Sequence, residues 1–315
     1  MPGLAHQQEA FIGVDLGGTK VAVGTLIGGR IEGISEEATD RSGQEQLIAQ
    51  IARLVDGQLR SVRIAAAAVR ALGIGIPSVV EFASGRVRSS VNIPLADLPL
   101  RSVLEARLAS LPTYVDNDAN CAALAEAHDE RGELAAASLV MVTVGTGVGG
   151  GIVIDGQPYR GASGAAGELG HMIVGLDLSD RVVASPGFPR DGSLESLASG
   201  RALAALASAC GYGDGPQLVA AAQAGEQRAR EALSRFGERL GVGVANVINI
   251  FDPEVVAIGG GVSSAGELLI EPLRRAASRF VLEGVGTKTQ VRIARSGPLA
   301  GVRGAALMAR AAVAG

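Results

Sequence analysis

A plan of strand, glycine-threonine turn and strand occurs twice in this chain of 315 residues. The first copy runs over 11–16, turns at Gly17-Gly18-Thr19-Lys20 and returns over 21–27, where Gly28-Gly29 ends it and a third strand is expected. The second, about 130 residues on, runs over 138–144, turns at Gly145-Thr146-Gly147, and returns over 151–154 before Asp155-Gly156. Two such hairpins read as an internal duplication. A chain longer than one core ordinarily grows then predicts two α/β lobes with a cleft between them.

The segments between and after the hairpins fit that plan. A helix is expected from about Ser42 to Arg60, a buried strand over 71–76 leading to Pro77, a loop and helix within 92–111, and a brief strand at Tyr114-Val115. Asp116-Asn117-Asp118 then stands directly before an Ala-rich helix over 119–128, which places a carboxylate at a helix start. The second half turns mostly helical, with 226–250 its longest segment, before a strand over 255–258, the loop Gly259-Gly260-Gly261 and a last helix over 301–313. The expected division is a first lobe over 1–116, rejoined by the final helix at 301–315, and a second over 117–300.

Composition narrows the partners. With 47% hydrophobic and 19% charged residues the chain has apolar surface enough for buried cores, and 3% aromatics with 45 glycines make packing depend on Ala, Val, Leu and close backbone contacts. A net charge of −4 with no local run of Lys and Arg supplies no field for a nucleic-acid backbone. Cys121 and Cys210, far apart in helical contexts, read as free buried thiols of a reducing, cytoplasmic compartment. Residues 1–10 lack the pattern of a secretory signal. The uncharged stretch 134–154 is long enough to span a bilayer, but its glycine-rich centre reads as a turn between two strands, so no membrane segment is expected.

Several polar residues carry chemistry. The first loop lets backbone amides approach phosphate oxygens and adds the Thr19 hydroxyl, while Asp15 is placed to hold magnesium through water. The second loop, Gly145-Thr146-Gly147-Val148-Gly149-Gly150, formally matches the dinucleotide fingerprint, but a strand follows it instead of a helix, so the Rossmann reading fails and a phosphate-facing hairpin survives. Either loop alone is also an ordinary hairpin turn. Asp118 is the candidate general base for a hydroxyl, although Asp and Asn at a helix start are equally ordinary caps, with Asp116 or Asn117 free to cap while Asp118 works. Glu168 and His171, three apart after a run of small residues, suit vicinal hydroxyls or simply a solvated loop. His128 reads as a surface residue, and His6 as part of a frayed terminus.

In this order, Asp15-Leu16-Gly17-Gly18-Thr19-Lys20, Asn117-Asp118-Ala119-Asn120, Gly145-Thr146-Gly147 and Gly167-Glu168-Leu169-Gly170-His171 make the chain resemble the ROK family of repressors, open reading frames and kinases, over about residues 11–310. The resemblance implies the actin-like ATPase fold, of the ribonuclease H-like class, with ATP and magnesium in the cleft, a hexose or amino-hexose substrate, and a homodimer or homotetramer. It implies Asp118 as catalytic base, with Asn117, Glu168, His171, Glu195 and also Asn92 as sugar ligands. Asp15, Gly17, Gly18, Thr19, Lys20, Thr146 and Gly147 would serve the phosphates, and Gly260 and Gly261 the adenosine. The expected reaction is phosphorylation of glucose to glucose 6-phosphate; N-acetylmannosamine, N-acetylglucosamine and fructose are alternative acceptors, and polyphosphate an alternative donor.

One departure matters. Family members commonly carry C-x-C-G-x-x-G-C-x-E, which with the histidine holds a structural zinc. Here Pro186, Phe188 and Ser193 stand at the three cysteine positions, before Glu195, and one histidine cannot hold a tetrahedral zinc. No structural zinc is expected, and packing of Val182, Val183, Pro186 and Phe188 would then order the loop. Sugar-sensing regulators of the family carry a DNA-binding domain ahead of the first glycine loop. Only about ten residues precede that loop here, which favours the kinase over the regulator.

Overall fold

The structure is a computed structural model and describes residues 9–61, 68–90, 92–176 and 186–314. The chain forms two compact units, the first built from Met1–Ala137, Gly151–Ala166 and Ser296–Gly315, the second from Ser138–Gly150 and Gly167–Arg295. The expected division after residue 116 differs from the one observed, in which 117–137, 151–166 and 296–300 belong to the first unit and α3 (Asp118–Ala127) packs on α9 (Ala300–Ala314) there.

In the first unit β1 (Ala10–Leu16), β2 (Lys20–Ile27) and β3 (Arg30–Ala38) form an antiparallel meander, and β4 (Val69–Ile76) and β7 (Thr113–Asn117) extend it in parallel, giving the order β3-β2-β1-β4-β7. The register aligns Asp15 with Gly75 and Gly75 with Asp116, so the carboxylate-bearing ends of β1 and β7 emerge on one edge. One face buries Ile12, Val14, Leu72, Ile74 and Val115 under α1 (Gln44–Ser61), through Leu47, Ile48 and Ile51, and under α2 (Leu100–Arg107). On the other face α9 lies almost backbone to backbone on the sheet. A Cβ at Gly13 would stand 1.9 Å from the Val302 carbonyl, and one at Gly73 1.8 Å from that of Ala305. Glycine is obligatory where a helix approaches a strand so closely.

The second five-stranded sheet, β10 (Gln157–Pro158), β9 (Val148–Ile154), β8 (Leu139–Val144), β11 (Val255–Gly259) and β12 (Gln290–Ile293), repeats the arrangement of an antiparallel arm followed by parallel strands. The expected duplication is thus present in the topology. The uncharged stretch 134–154 contains β8, its turn and β9, and among the described residues no helix is long and apolar enough to cross a membrane. Around β8 and β11 the second unit adds α4 (Leu194–Ala198), α5 (Gly200–Ala209), α6 (Gly215–Gln223), the long α7 (Gln227–Phe251) and α8 (Glu267–Ala277). Glycines again permit close contact, Gly241 of α7 facing the Leu273 carbonyl of α8 at 2.5 Å from an added Cβ.

Candidate active site

The first glycine loop is a closed turn whose Gly17 N–H donates to the Lys20 carbonyl at 2.9 Å, while the Thr39 hydroxyl donates to the Gly17 carbonyl at 2.7 Å. Gly18 is packed under Asn92, whose Cβ lies 3.2 Å from where a side chain on Gly18 would begin. The Thr19 and Lys20 side chains are exposed, and Lys20 pairs with Glu36 of the neighbouring strand at 3.0 Å.

Asn117 caps α3, its Oδ1 accepting from the Ala119 N–H at 2.8 Å, and Asp118 opens the helix with an Oδ1 that accepts from the same N–H at 2.9 Å. Beneath them Asp116 is buried and fully engaged. Its Oδ1 accepts from the Asn117 N–H at 2.7 Å and from Asn120 Nδ2 at 2.9 Å, and its Oδ2 from Arg160 Nε at 2.7 Å. The Arg160 guanidinium stacks on the Phe82 ring. Asp116 therefore organises the turn, Asn117 caps, and the Asp118 carboxylate is set at the helix start.

Asp15 sits at the end of β1 against Gly301 of α9. Burial first, then the charge of Asp118, push its carboxyl from 3.8 up to about 6, with Lys20 opposing and Glu36 adding. The folded chain thus keeps a proton that the unfolded chain has already lost, so stability falls as pH rises from about 4 through about 6 and levels off above. We expect the Asp15→Asn variant to lack this decline and to gain on the order of 2 kcal/mol on the native protein at pH 7. Urea midpoints of the two proteins between pH 4 and 8 measure it; parallel curves would place the dependence elsewhere. Among the described residues no group of three or more His, Cys, Asp or Glu side chains is arranged to hold a metal. A carboxyl made costly to ionise by burial first and by the Asp118 charge second nevertheless suits magnesium, which ordinarily takes one or two protein carboxylates together with phosphate and water.

In the second unit the Gly145 N–H donates to the Gly147 carbonyl at 3.0 Å, closing the second turn, and Thr146 is exposed. Gly145 and Thr146 form one wall of a cavity of about 620 Å³, lined also by Leu203, Pro216, Val219 and Val262 and by the polar Arg201 and Gln223. Gly261 lines it too, and Gly260 beside it adopts φ 83°, a Cβ there meeting the Val144 carbonyl at 2.4 Å. An apolar slot ending at a glycine turn has the chemistry of a purine site leading to phosphates.

Gly167 at φ 88° leads into a single helical turn, Leu169–His171, whose start is Glu168. Glu168 and His171 are both exposed and face one another at 3.7 Å, while the His171 ring meets Phe188 edge-on at 5.5 Å between centroids. Phe188 is 73% exposed and carries Arg190 over its ring, so its contact with the histidine is a surface stack and not the interior packing expected of it. Val182 and Val183 lie outside the described residues. Ser193, at one of the family's cysteine positions, caps α4. Cys121 and Cys210 are free and buried.

Glu195, expected among the sugar ligands, has protein partners for its carboxylate. It is 15% exposed, and its carboxylate accepts from the Val148 N–H at 2.9 Å and pairs with Arg201 at 3.0 Å. His128, read as a surface residue, is half-buried at the end of α3, its Nδ1 2.7 Å from the Leu124 carbonyl, and burial holds its pKa below the usual value. His6 lies outside the described residues. Sequence reasoning missed Arg160 and Arg201; only the position of Arg201, six residues after Glu195, offered a signal.

The family model described as ROK family matches residues 11–312. A ROK hexokinase from Thermus thermophilus superposes with a TM-score of 0.81 at 35% identity, over 97% of this chain and 100% of that one. A glucokinase of Halalkalibacterium halodurans is 33% identical over 93% of both chains, and an N-acetyl-D-glucosamine kinase of Escherichia coli 34% identical over 95% of this chain and 98% of its own. A xylose repressor of Caldicellulosiruptor bescii is 32% identical over 90% of this chain and 74% of its own.

Proposed function

The chain belongs to the ROK family, with its two-lobed actin-like fold, and we propose that it is an ATP-dependent sugar kinase whose leading substrate is glucose. The observation that carries this reading is the Asp118 carboxylate at the start of α3 in the same unit as the first glycine loop and Asp15. A general base for a hydroxyl serves phosphoryl transfer and is not needed for sugar binding alone.

In this mechanism Asp118 accepts the proton of the attacking hydroxyl, the sugar oxygen bonds to the γ phosphorus, and the bond from that phosphorus to the β–γ bridging oxygen breaks, releasing ADP. The amides of Gly17, Gly18 and Gly147, with the Thr19 and Thr146 hydroxyls and the Lys20 charge, bind and orient the phosphates. Asp15 would hold magnesium, through water, and the bound ion would neutralise phosphate charge. Gly261, which lines the second unit's cavity, and Gly260 beside it would border the adenosine. Asn92, Asn117, Glu168, His171 and Glu195 are proposed for the sugar, and a cytoplasmic homodimer or homotetramer as the working form. Catalysis here is chiefly positioning and charge stabilisation.

A coupled ADP-release assay with magnesium-ATP, against glucose, mannose, fructose and the N-acetylhexosamines with a no-sugar control, tests the proposal. ADP release should require sugar and be fastest with glucose. Release independent of sugar would replace the kinase by an ATPase, and sugar binding without release would favour a regulator; polyphosphate in place of ATP tests the donor.

A further inference from the structure

The second glycine loop is tied to the segment 195–201 at three of its residues. The Gly200 N–H donates to the Gly145 carbonyl at 2.7 Å, Arg201 Nε to the Thr146 carbonyl at 3.3 Å, and the Val148 N–H to Glu195 Oε2 at 2.9 Å. Arg201 then closes the arrangement on itself by pairing with Glu195 Oε1 at 3.0 Å. Gly147 is held against the same carboxylate, since a Cβ on it would stand 2.4 Å from Glu195 Oε2. The segment is itself stiffened by two caps, Ser193 accepting from the Ser196 N–H and Ser199 from the Ala202 N–H. Arg201 also lines the cavity that opens beside Thr146.

We propose that Glu195 and Arg201 act together as positioning residues for the nucleotide, fixing the 145–148 turn so that its amides and the Thr146 hydroxyl are aimed before ATP arrives. The inference rests on the kinase reading for its substrate and adds to it a role for Glu195 distinct from contact with sugar. Two of the carboxylate's lone-pair directions are already taken by Val148 and Arg201. With Arg201 61% exposed, the pair contributes little to the stability of the fold. Its consequence lies in orientation. Arg201 spans a carboxylate and a main-chain carbonyl with a rigid fork, which a lysine cannot do at two points. Without the guanidinium, Glu195 loses the group that holds its Oε2 under Val148, and the turn must be ordered by ATP at the expense of binding.

Steady-state kinetics of Arg201→Ala, Arg201→Lys and Glu195→Gln, alone and combined, test this. Arg201→Ala should raise KM for ATP about tenfold, with kcat and KM for sugar within about twofold and the melting temperature moved by less than about 3 °C. Arg201→Lys should fall between the alanine variant and the native protein. Combining Arg201→Ala with Glu195→Gln should add little to the KM for ATP, because both act through one turn. An unchanged KM for ATP in Arg201→Ala, a parallel rise in both KM values, or full additivity would each overturn the proposal. Direct titration with a fluorescent ATP analogue separates it from the kinase reading. If the native protein binds the analogue but transfers no phosphoryl group, the kinase reading fails, and about tenfold weaker binding by Arg201→Ala still sustains the role of the pair.

Discussion

Replacement of Asp118 by Asn lowers kcat by about 10²- to 10⁴-fold, the range a positioned general base ordinarily supplies, and leaves sugar binding nearly intact. The amide occupies the same volume and still offers an oxygen to the Ala119 N–H, but it cannot accept a proton at neutral pH. The helix does not depend on it. Asn117 already caps α3, accepting from that same N–H at 2.8 Å, so the start of the helix survives the change. Removing Asp118's charge also removes one of the causes that raise Asp15, whose carboxyl should then titrate lower than in the native protein. The coupled ADP-release assay gives kcat, and calorimetric titration with glucose gives the sugar affinity. Turnover within tenfold of the native rate would take the proton-accepting role away from Asp118.

The elements that were legible in the sequence are those whose signal is local. The first hairpin was read as 11–16 and 21–27 and is found at Ala10–Leu16 and Lys20–Ile27, because the apolar runs and the glycine turn between them sit within a few residues of each other. The same holds for α3, announced by its cap, and for α7, whose apolar face repeats over 25 residues. What was not legible is what distant residues do to one another. The hairpin of β5 (Ser78–Glu81) and β6 (Arg86–Ser90) is short, and from sequence the stretch after Pro77 reads as a loop. In α8 a proline at position 272 interrupts the usual helical signature. Glu195 carries no local mark of its bond to Val148, 47 residues away, and the family resemblance, by position, assigns it to sugar. Likewise Asp116 looks like one more cap in Asp-Asn-Asp, and only the approach of Arg160 shows which of the three is structural.

That assignment makes the Asp116→Ala variant damaging to the fold of the first unit, by about 3 kcal/mol. The aspartate side chain is 3% exposed, and its loss leaves three donors without an acceptor: the Asn117 N–H, Asn120 Nδ2 and the Arg160 Nε, whose side chain is 21% exposed. Asn120 Oδ1 is already buried without a partner, so its amide has no alternative bond to fall back on. The partial exposure of Arg160 lets water recover some of its solvation, which puts the expected loss at the lower end of the range for broken buried pairs. Amide hydrogen exchange reads the effect where it arises, since the two units need not unfold together. The slowest-exchanging amides of α3 and β7 should exchange more than 100-fold faster in Asp116→Ala, while those of α7 in the second unit keep their native rates. The double variant Asp116→Ala with Arg160→Met decides the cause. It removes the orphaned guanidinium and keeps apolar bulk against Phe82, so about half of the lost protection should return. If the double variant exchanges as fast as the single one, the cost lies in the Asn117 and Asn120 bonds, and Arg160 is not what holds the turn that presents Asp118.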